Sequence, residues 1–412
     1  MLALSAFSSR LSRFGLAALF LSGLLGCTRN EPQRQPAPAD SHTKGLDAAA
    51  HGRAHHSAGD AAIDVVPSEH AADAGAAGPS LHKAQRKLMG TMWAITIAGG
   101  DSDAARKAAE RALDQVAELE TKLSEWRPDS DISHVNQAAG IAPVQVGPEL
   151  VECVRASLEV ARWSRGAFDI SWAGLRGLWD FSPDSARVPP PPAKVKAMLP
   201  LWNYRNIVLD EARSTVFLKK KGMQIGLGGV AKGYALDRAG ELLQRAGFPD
   251  FLIYAGGQVL VHGKKGERAW RVGIQHPREP RHFAFVEIED GSLATSGDYE
   301  HAWTHEGRTY HHILDPKTGF PSARTSSVTL IAKTALWADA IDTAIFIMGP
   351  AAGLKALKNA PGGPFEATVV DPAMHLHLSD NIRSRLVLTA AIEPDGLIGR
   401  AVAPEDRVRP TP

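Results

Sequence analysis

The chain has 412 residues, 44% of them hydrophobic and 22% charged, which is ample apolar material for a large core. Lys and Arg total 46 against 45 Asp and Glu, so a net charge of +1 gives no field that would recruit nucleic acid or an anionic membrane surface. Any specific chemistry must come from local sites.

Arg10 and Arg13 precede an apolar stretch, Phe14 to Leu25, that is too short to span a bilayer and fits the core of a signal peptide. It ends in Leu24-Leu25-Gly26-Cys27, which reads as a lipobox: a small residue, then a cysteine that is lipidated and becomes the new N-terminus. The alternative is a plain signal peptide with an incidental cysteine. Under the lipobox reading Cys153, the other cysteine, has no intramolecular partner. Residues 28–82 are rich in Ala, Pro, Asp, Gly and His, and burial cannot offset their ordering entropy, so a disordered tether is expected. The irregular spacing of His42, His51, His55, His56, His70 and His82 favours a polar linker over a metal-gathering tract. The folded domain is expected over residues 83–402, followed by a frayed tail at 403–412.

Within the domain, Ala105, Ala109, Ala112, Val116, Leu119 and Leu123 step by four and three, which predicts a helix with one apolar face, capped around Asp103. Further helices are predicted over Glu149 to Trp163, from the glycine cluster at 226–229 to about Ala246, and over Ala335 to Met348, stopped by Gly349-Pro350. Strands are predicted at Trp93–Ile97, Phe251–Tyr254, Trp270–Ile274, Phe283–Ile288, Ser327–Ala332 and Glu366–Val370. Helices and strands do not alternate, and several strands follow one another closely, so the pattern is α+β.

Four segments carry residues suited to chemistry. Gly226, Gly228 and Ala231 satisfy a GxGxxA spacing ahead of a helix, as in dinucleotide folds, but the next strand ends in Ala255-Gly256-Gly257 and lacks the ribose-binding acid. Thr295-Ser296-Gly297-Asp298-Tyr299 offers approachable backbone N–H groups and hydroxyls to a phosphate, or is a bare turn. In His312-Ile313-Leu314-Asp315-Pro316-Lys317-Thr318-Gly319 the Pro and Gly enforce a tight turn that would hold His312 on a rigid edge, for catalysis or for structure. Asp339 and Thr343 lie one helical turn apart on one face, with Asp342 nearby; this oxygen set suits Mg²⁺ bound together with substrate phosphates, the alternative being a helix acid favoured by the dipole.

Taken together these segments resemble the FAD:protein FMN transferase (ApbE) family from about Lys87 to Gly349. The matching stretches, in the family's order, are Met89 to Trp93, Leu123 to Trp126 with Ser130 and Asn136, Gly166 to Asp169, Gly228 to Tyr234 with Asp237, Ala255 to Gly257, Thr295 to Tyr299, the His312 turn, and Ala338 to Thr343. The resemblance implies a two-lobed α+β fold of mixed and antiparallel sheets with packed helices, and a flavin site between the lobes. It implies that Met89, Trp126, Ala167, Phe168, Asp169, Lys232 and Ile313 contact FAD. Gly229 (through its carbonyl), Asp339, Asp342 and Thr343 would hold Mg²⁺. His312 would take the proton from a Thr or Ser hydroxyl of an exported or membrane-bound redox protein, which receives FMN as AMP leaves. Lipid-anchored export to the periplasmic face of the cell envelope fits, since many members are lipoproteins.

The chain departs from the family pattern at Gly226, where Asp is usual, at Gln258, where an acid is usual, at Ser171, where Thr is usual, and at Trp172, which is unusually large. A glycine at 226 removes a carboxylate beside the metal segment and predicts a loosened site, to be tightened by Gly226→Asp. Competing functions are a metal-dependent FAD pyrophosphatase, a lipoprotein that only binds flavin, and an adhesive or structural lipoprotein; the last leaves His312 and Asp339 without a purpose. For the N-terminus, Cys27→Ala is expected to release the exported protein from the membrane fraction, and unchanged retention would count against a lipid anchor.

Overall fold

The computed structural model describes residues 78–393 and 396–401; the signal, most of the tether and the tail lie outside them. In chain order the strands that build the domain are β1 (Leu81–Leu88), β2 (Thr91–Ala98), β3 (Phe251–Ala255), β4 (Gln258–His262), β5 (Trp270–Gln275), β6 (His282–Ile288), β7 (Gly291–Gly297), β8 (Ala302–His305), β9 (Arg308–His311), β10 (Ser327–Ala332), β11 (Glu366–Val370), β12 (Leu376–Leu378) and β13 (Leu386–Leu388). The helices that matter to the site are α1 (Ser102–Leu123), α2 (Asp131–Gln137), α3 (Pro148–Trp163), α4 (Ala231–Arg245) and α5 (Ala335–Met348).

One eight-stranded sheet runs in the order β1-β2-β3-β4-β7-β10-β11-β12. Every pairing in it is antiparallel. A parallel dinucleotide-binding sheet is thereby excluded, and the α+β class stands. Alternate residues of each strand enter different cores. Trp93, Ile95, Ile97 and Ile253 pack with the buried faces of α1, α3, α4 and α5. Leu252, Val259, Val261, Leu293 and Ile331 face the other way, toward the three-stranded sheet β13-β6-β5. These two cores share the sheet within one compact unit.

Several local readings shift. Strand β1 begins at Leu81, so His82 belongs to it and not to the tether. The cap of α1 is Asp101, whose carboxylate accepts from the Ala104 N–H at 2.9 Å; Asp103 sits in the first turn, where the helix dipole favours an acid. The segment Thr295 to Gly297 is the end of a buried strand and not a turn.

Two hairpins place their turns at one end of the sheet. Met89 and Gly90 join β1 to β2 with φ of 48° and 77°, and Gly256-Gly257 joins β3 to β4, with Gly256 against Thr91. The Thr295 N–H donates to the Gly257 carbonyl at 3.1 Å, which brings the end of β7 to the same place. Helices α4 and α5 cross above it at Gly233. A side chain at 233 would run into the backbone of Ala335 and Leu336, so the crossing distance requires a glycine. Asp237, one turn along α4, accepts from the N–H groups of Ala335 (2.8 Å) and Leu336 (2.9 Å) and so caps α5 from outside. Gly233→Ala should force the helices apart and cost roughly 1–3 kcal/mol in denaturant unfolding; an unchanged midpoint would refute the close crossing.

Candidate active site

Helix α5 brings two carboxylates inside. Asp339 is 3% exposed and Asp342 is 2% exposed. Burial pushes both above the ordinary carboxylate range, and Asp342 is raised further by the charge of Asp339. One Asp339 oxygen accepts from the Gly233 N–H of α4 at 3.1 Å, and the other lies 4.0 Å from the Lys232 ammonium. Asp342 accepts from the Ser296 hydroxyl of β7 at 3.1 Å and from the Thr343 hydroxyl at 3.1 Å. Ser296 and Thr343 are themselves 3.4 Å apart. Gly229 approaches from the glycine segment: a Cβ there would stand 3.6 Å from the Thr343 hydroxyl and 3.0 Å from the Phe168 ring.

This donor set fits a divalent cation that takes oxygen ligands. Two buried carboxylates have one lysine as nearby counter-charge, and a hard cation would remove the repulsion that raises Asp342. Gln258 adds an independent sign. It is 5% exposed, its side chain hydrogen-bonds Asp339, and its buried Oε1 has no partner. An orphaned amide oxygen beside the Asp339 carboxylate has the chemistry of an oxygen ligand. The sequence marked Gln258 only as a departure; its register opposite Ala294 next to the Gly256-Gly257 turn is what turns it toward the site.

Two adjacent histidines play different parts. His311 is buried, with Nε2 against the Ser322 carbonyl at 2.9 Å and Nδ1 accepting from the Ile313 N–H at 3.3 Å, so both nitrogens serve the fold. In His312, Nδ1 lies 3.0 Å from the Glu300 carbonyl. A carbonyl only accepts, so Nδ1 carries the proton and Nε2 is left as a bare base. The surrounding protein, then the neighbouring His301 ring 5.2 Å away, lowers the pKa of His312. His312 is exposed at the surface, and its surroundings favour the neutral imidazole. Lys232 contributes to the same lowering and thus stands electrostatically between His312 and the carboxylates. The hairpin of β8 and β9 that delivers His312 is anchored by aromatic packing, with Trp303 and Tyr310 stacked at 4.8 Å and Trp179 beside both.

The remaining residues implied by the resemblance fall into three groups. Phe168 and Ile313 are buried in the main core, and Ala167 and Met89 pack at its margin. Trp126 is 74% exposed, with the Arg176 guanidinium 4.5 Å over its ring. Asp169 is occupied internally: its carboxylate accepts from the Ser171 N–H (2.8 Å), the Ser171 hydroxyl (2.7 Å) and the Tyr204 N–H (2.7 Å). It shapes the turn that follows Phe168.

The segment Thr295 to Tyr299 is no open phosphate cradle. The Thr295 hydroxyl pairs with Thr329 at 2.9 Å, and Asp298 is held bidentately by Arg278 at 2.6 and 2.7 Å. Ser296 alone of this segment turns to the carboxylates.

Gly226 does not loosen the site either. Its N–H donates to the Ile170 carbonyl at 2.8 Å and its carbonyl accepts from the Trp172 indole at 3.2 Å. Asn136 brackets Ile225 with two hydrogen bonds of 2.7 and 2.9 Å. A Cβ at 226 would stand 2.8 Å from both a Glu125 oxygen and the Trp172 ring. The bulk of Trp172 therefore fills the room that Gly226 vacates. Gly226→Asp is expected to weaken FAD binding and lower the melting temperature, the reverse of the effect inferred from sequence; a folded variant with tighter binding would contradict this packing.

A model of the ApbE family matches residues 89–365. An FAD:protein FMN transferase of Klebsiella pneumoniae (strain 342) is 33% identical over 271 residues, 64% of this chain and 77% of that protein. One of Escherichia coli (strain K12) is 29% identical over 308 residues, 73% of this chain and 88% of that protein. Among solved structures, the ApbE protein of Thermotoga maritima superposes with a TM-score of 0.68 at 30% identity, covering 74% of this chain and 98% of the other. With its fold, its paired carboxylates and its match over most of the described residues, the chain belongs to the ApbE family.

Proposed function

We infer that this chain is an FAD:protein FMN transferase, which moves the FMN portion of FAD onto a Thr or Ser hydroxyl of an exported or membrane-bound redox protein and releases AMP. The observation that carries this reading is the buried carboxylate pair Asp339 and Asp342, held by Gly233 and Ser296, in a chain that also presents the bare Nε2 of His312. The name carried by the curated relatives supports it.

Asp339, Asp342 and Thr343, with the Gly229 carbonyl and the Gln258 amide oxygen, would hold Mg²⁺. When bound, that ion supplies positive charge to the phosphate oxygens of FAD. The rest is work for the chain's own groups. Trp126 offers an exposed ring to stack on a flavin or adenine face. Phe168, Ala167, Ile313 and Met89 give an apolar wall, Asp169 fixes the turn that carries it, and Lys232 faces the phosphates. Nε2 of His312 takes the proton of the acceptor hydroxyl, the oxygen bonds to the FMN phosphorus, and the bond to the AMP oxygen breaks with its electron pair leaving on AMP. A lipid on Cys27 would keep the domain at the periplasmic membrane face, within reach of such acceptors.

Two substitutions separate the roles. Asp339→Ala should bind Mg²⁺ more weakly, with transfer partly restored at high Mg²⁺. His312→Ala should still bind FAD while transfer falls roughly 10²- to 10⁴-fold. Because the His312 pKa lies below the ordinary value of 6.5, the acid limb of kcat/KM, which reports groups of the free protein, should also fall below that pH. Wild-type transfer by His312→Ala would remove it from the mechanism.

A further inference from the structure

Ile225, Gly226 and Leu227 are buried and lead directly into Gly229 and Lys232. The clamp on Leu227 comes from far away in sequence: its N–H donates to a Glu125 oxygen at 3.1 Å. The other Glu125 oxygen lies at the open face of Gly226 and pairs in charge with Arg176 at 3.1 Å, without the alignment of a hydrogen bond. The side chain of Glu125 is 9% exposed. Arg176 closes the loop by donating to the Glu125 carbonyl at 3.2 Å while stacking over Trp126. One carboxylate thus touches the backbone of the glycine segment and the cation that supports the exposed Trp126 ring.

Placing a carboxylate there has a desolvation cost, which the Leu227 N–H and the guanidinium offset. Gly226 is what admits it, since any side chain at 226 would collide with it. Removing the charge while keeping the shape leaves Arg176 with the Glu125 carbonyl alone, so its guanidinium is held less firmly over Trp126.

We propose that Glu125 is a positioning residue that ties the glycine segment to the Trp126 face, so that affinity for FAD depends on its charge. This rests on the transferase reading above. The test is a pair of variants, Glu125→Gln and Arg176→Gln, with FAD titrated by flavin fluorescence, thermal unfolding followed in parallel, and KM separated from kcat. Each variant should weaken FAD binding by roughly tenfold, with KM for FAD rising by more than kcat falls. The double variant should lose no more than either single one, because the two residues act as a unit. Wild-type affinity in either folded variant overturns the proposal, as does a lowered melting temperature with unchanged affinity, or losses that multiply in the double variant. If native protein fails to bind FAD at all, the transferase reading falls first; if it binds and the variants bind equally, only the role of Glu125 falls.

Discussion

Two carboxylates buried one turn apart on a single helix set the terms for the rest of this protein. Left alone, Asp339 and Asp342 would repel one another in a medium that already disfavours their charge. The fold answers from three directions. Helix α4 sends a backbone N–H and the Lys232 ammonium, strand β7 sends the Ser296 hydroxyl, and the turn between β3 and β4 sends Gln258. Each answer requires close approach: glycine at 233 lets α4 touch α5, and Asp237 fixes the start of α5 at that crossing. Two buried carboxylates with one nearby ammonium form a donor set that fits a divalent cation.

The glycine segment shows how packing can replace a side chain. Three consecutive residues, Ile225 to Leu227, are held by Glu125, Asn136 and the pair Ile170 and Trp172, which come from three different places in the chain. Flexibility inherent to glycine is absent where its neighbours leave no room. Gly226 is better understood as a vacancy used by larger groups than as a missing acid.

Helix α5 was legible in the sequence because a mostly apolar segment between Thr334 and Gly349-Pro350 fixes its ends, and its i, i+4 spacing put Asp339 and Thr343 together without further information. Strand β1 was not legible, since its inward positions are His82, Ala84, Arg86 and Leu88, and the two polar ones mask the alternation. Thr295 to Gly297 read as a turn because small residues carry no hydrophobic period, yet they pair with β10 and the Thr295 N–H reaches the Gly257 carbonyl. His312 could be picked out by its turn, but its distinction from His311 rests on which carbonyl each ring meets, and that is set by tertiary contacts. The partnership of Glu125 with Leu227 spans 102 positions and has no local signature at all.

The most direct measurement is the fate of both halves of FAD when the protein is incubated with FAD, Mg²⁺ and a candidate acceptor from the same envelope. The account predicts AMP in amounts equal to FMN covalently bound to a Thr or Ser of the acceptor, seen as in-gel flavin fluorescence and as an added FMN mass on one peptide. AMP accompanied only by free FMN would make the protein a hydrolase, and intact FAD recovered from an unmodified acceptor would make it a binder; either result contradicts the transfer mechanism.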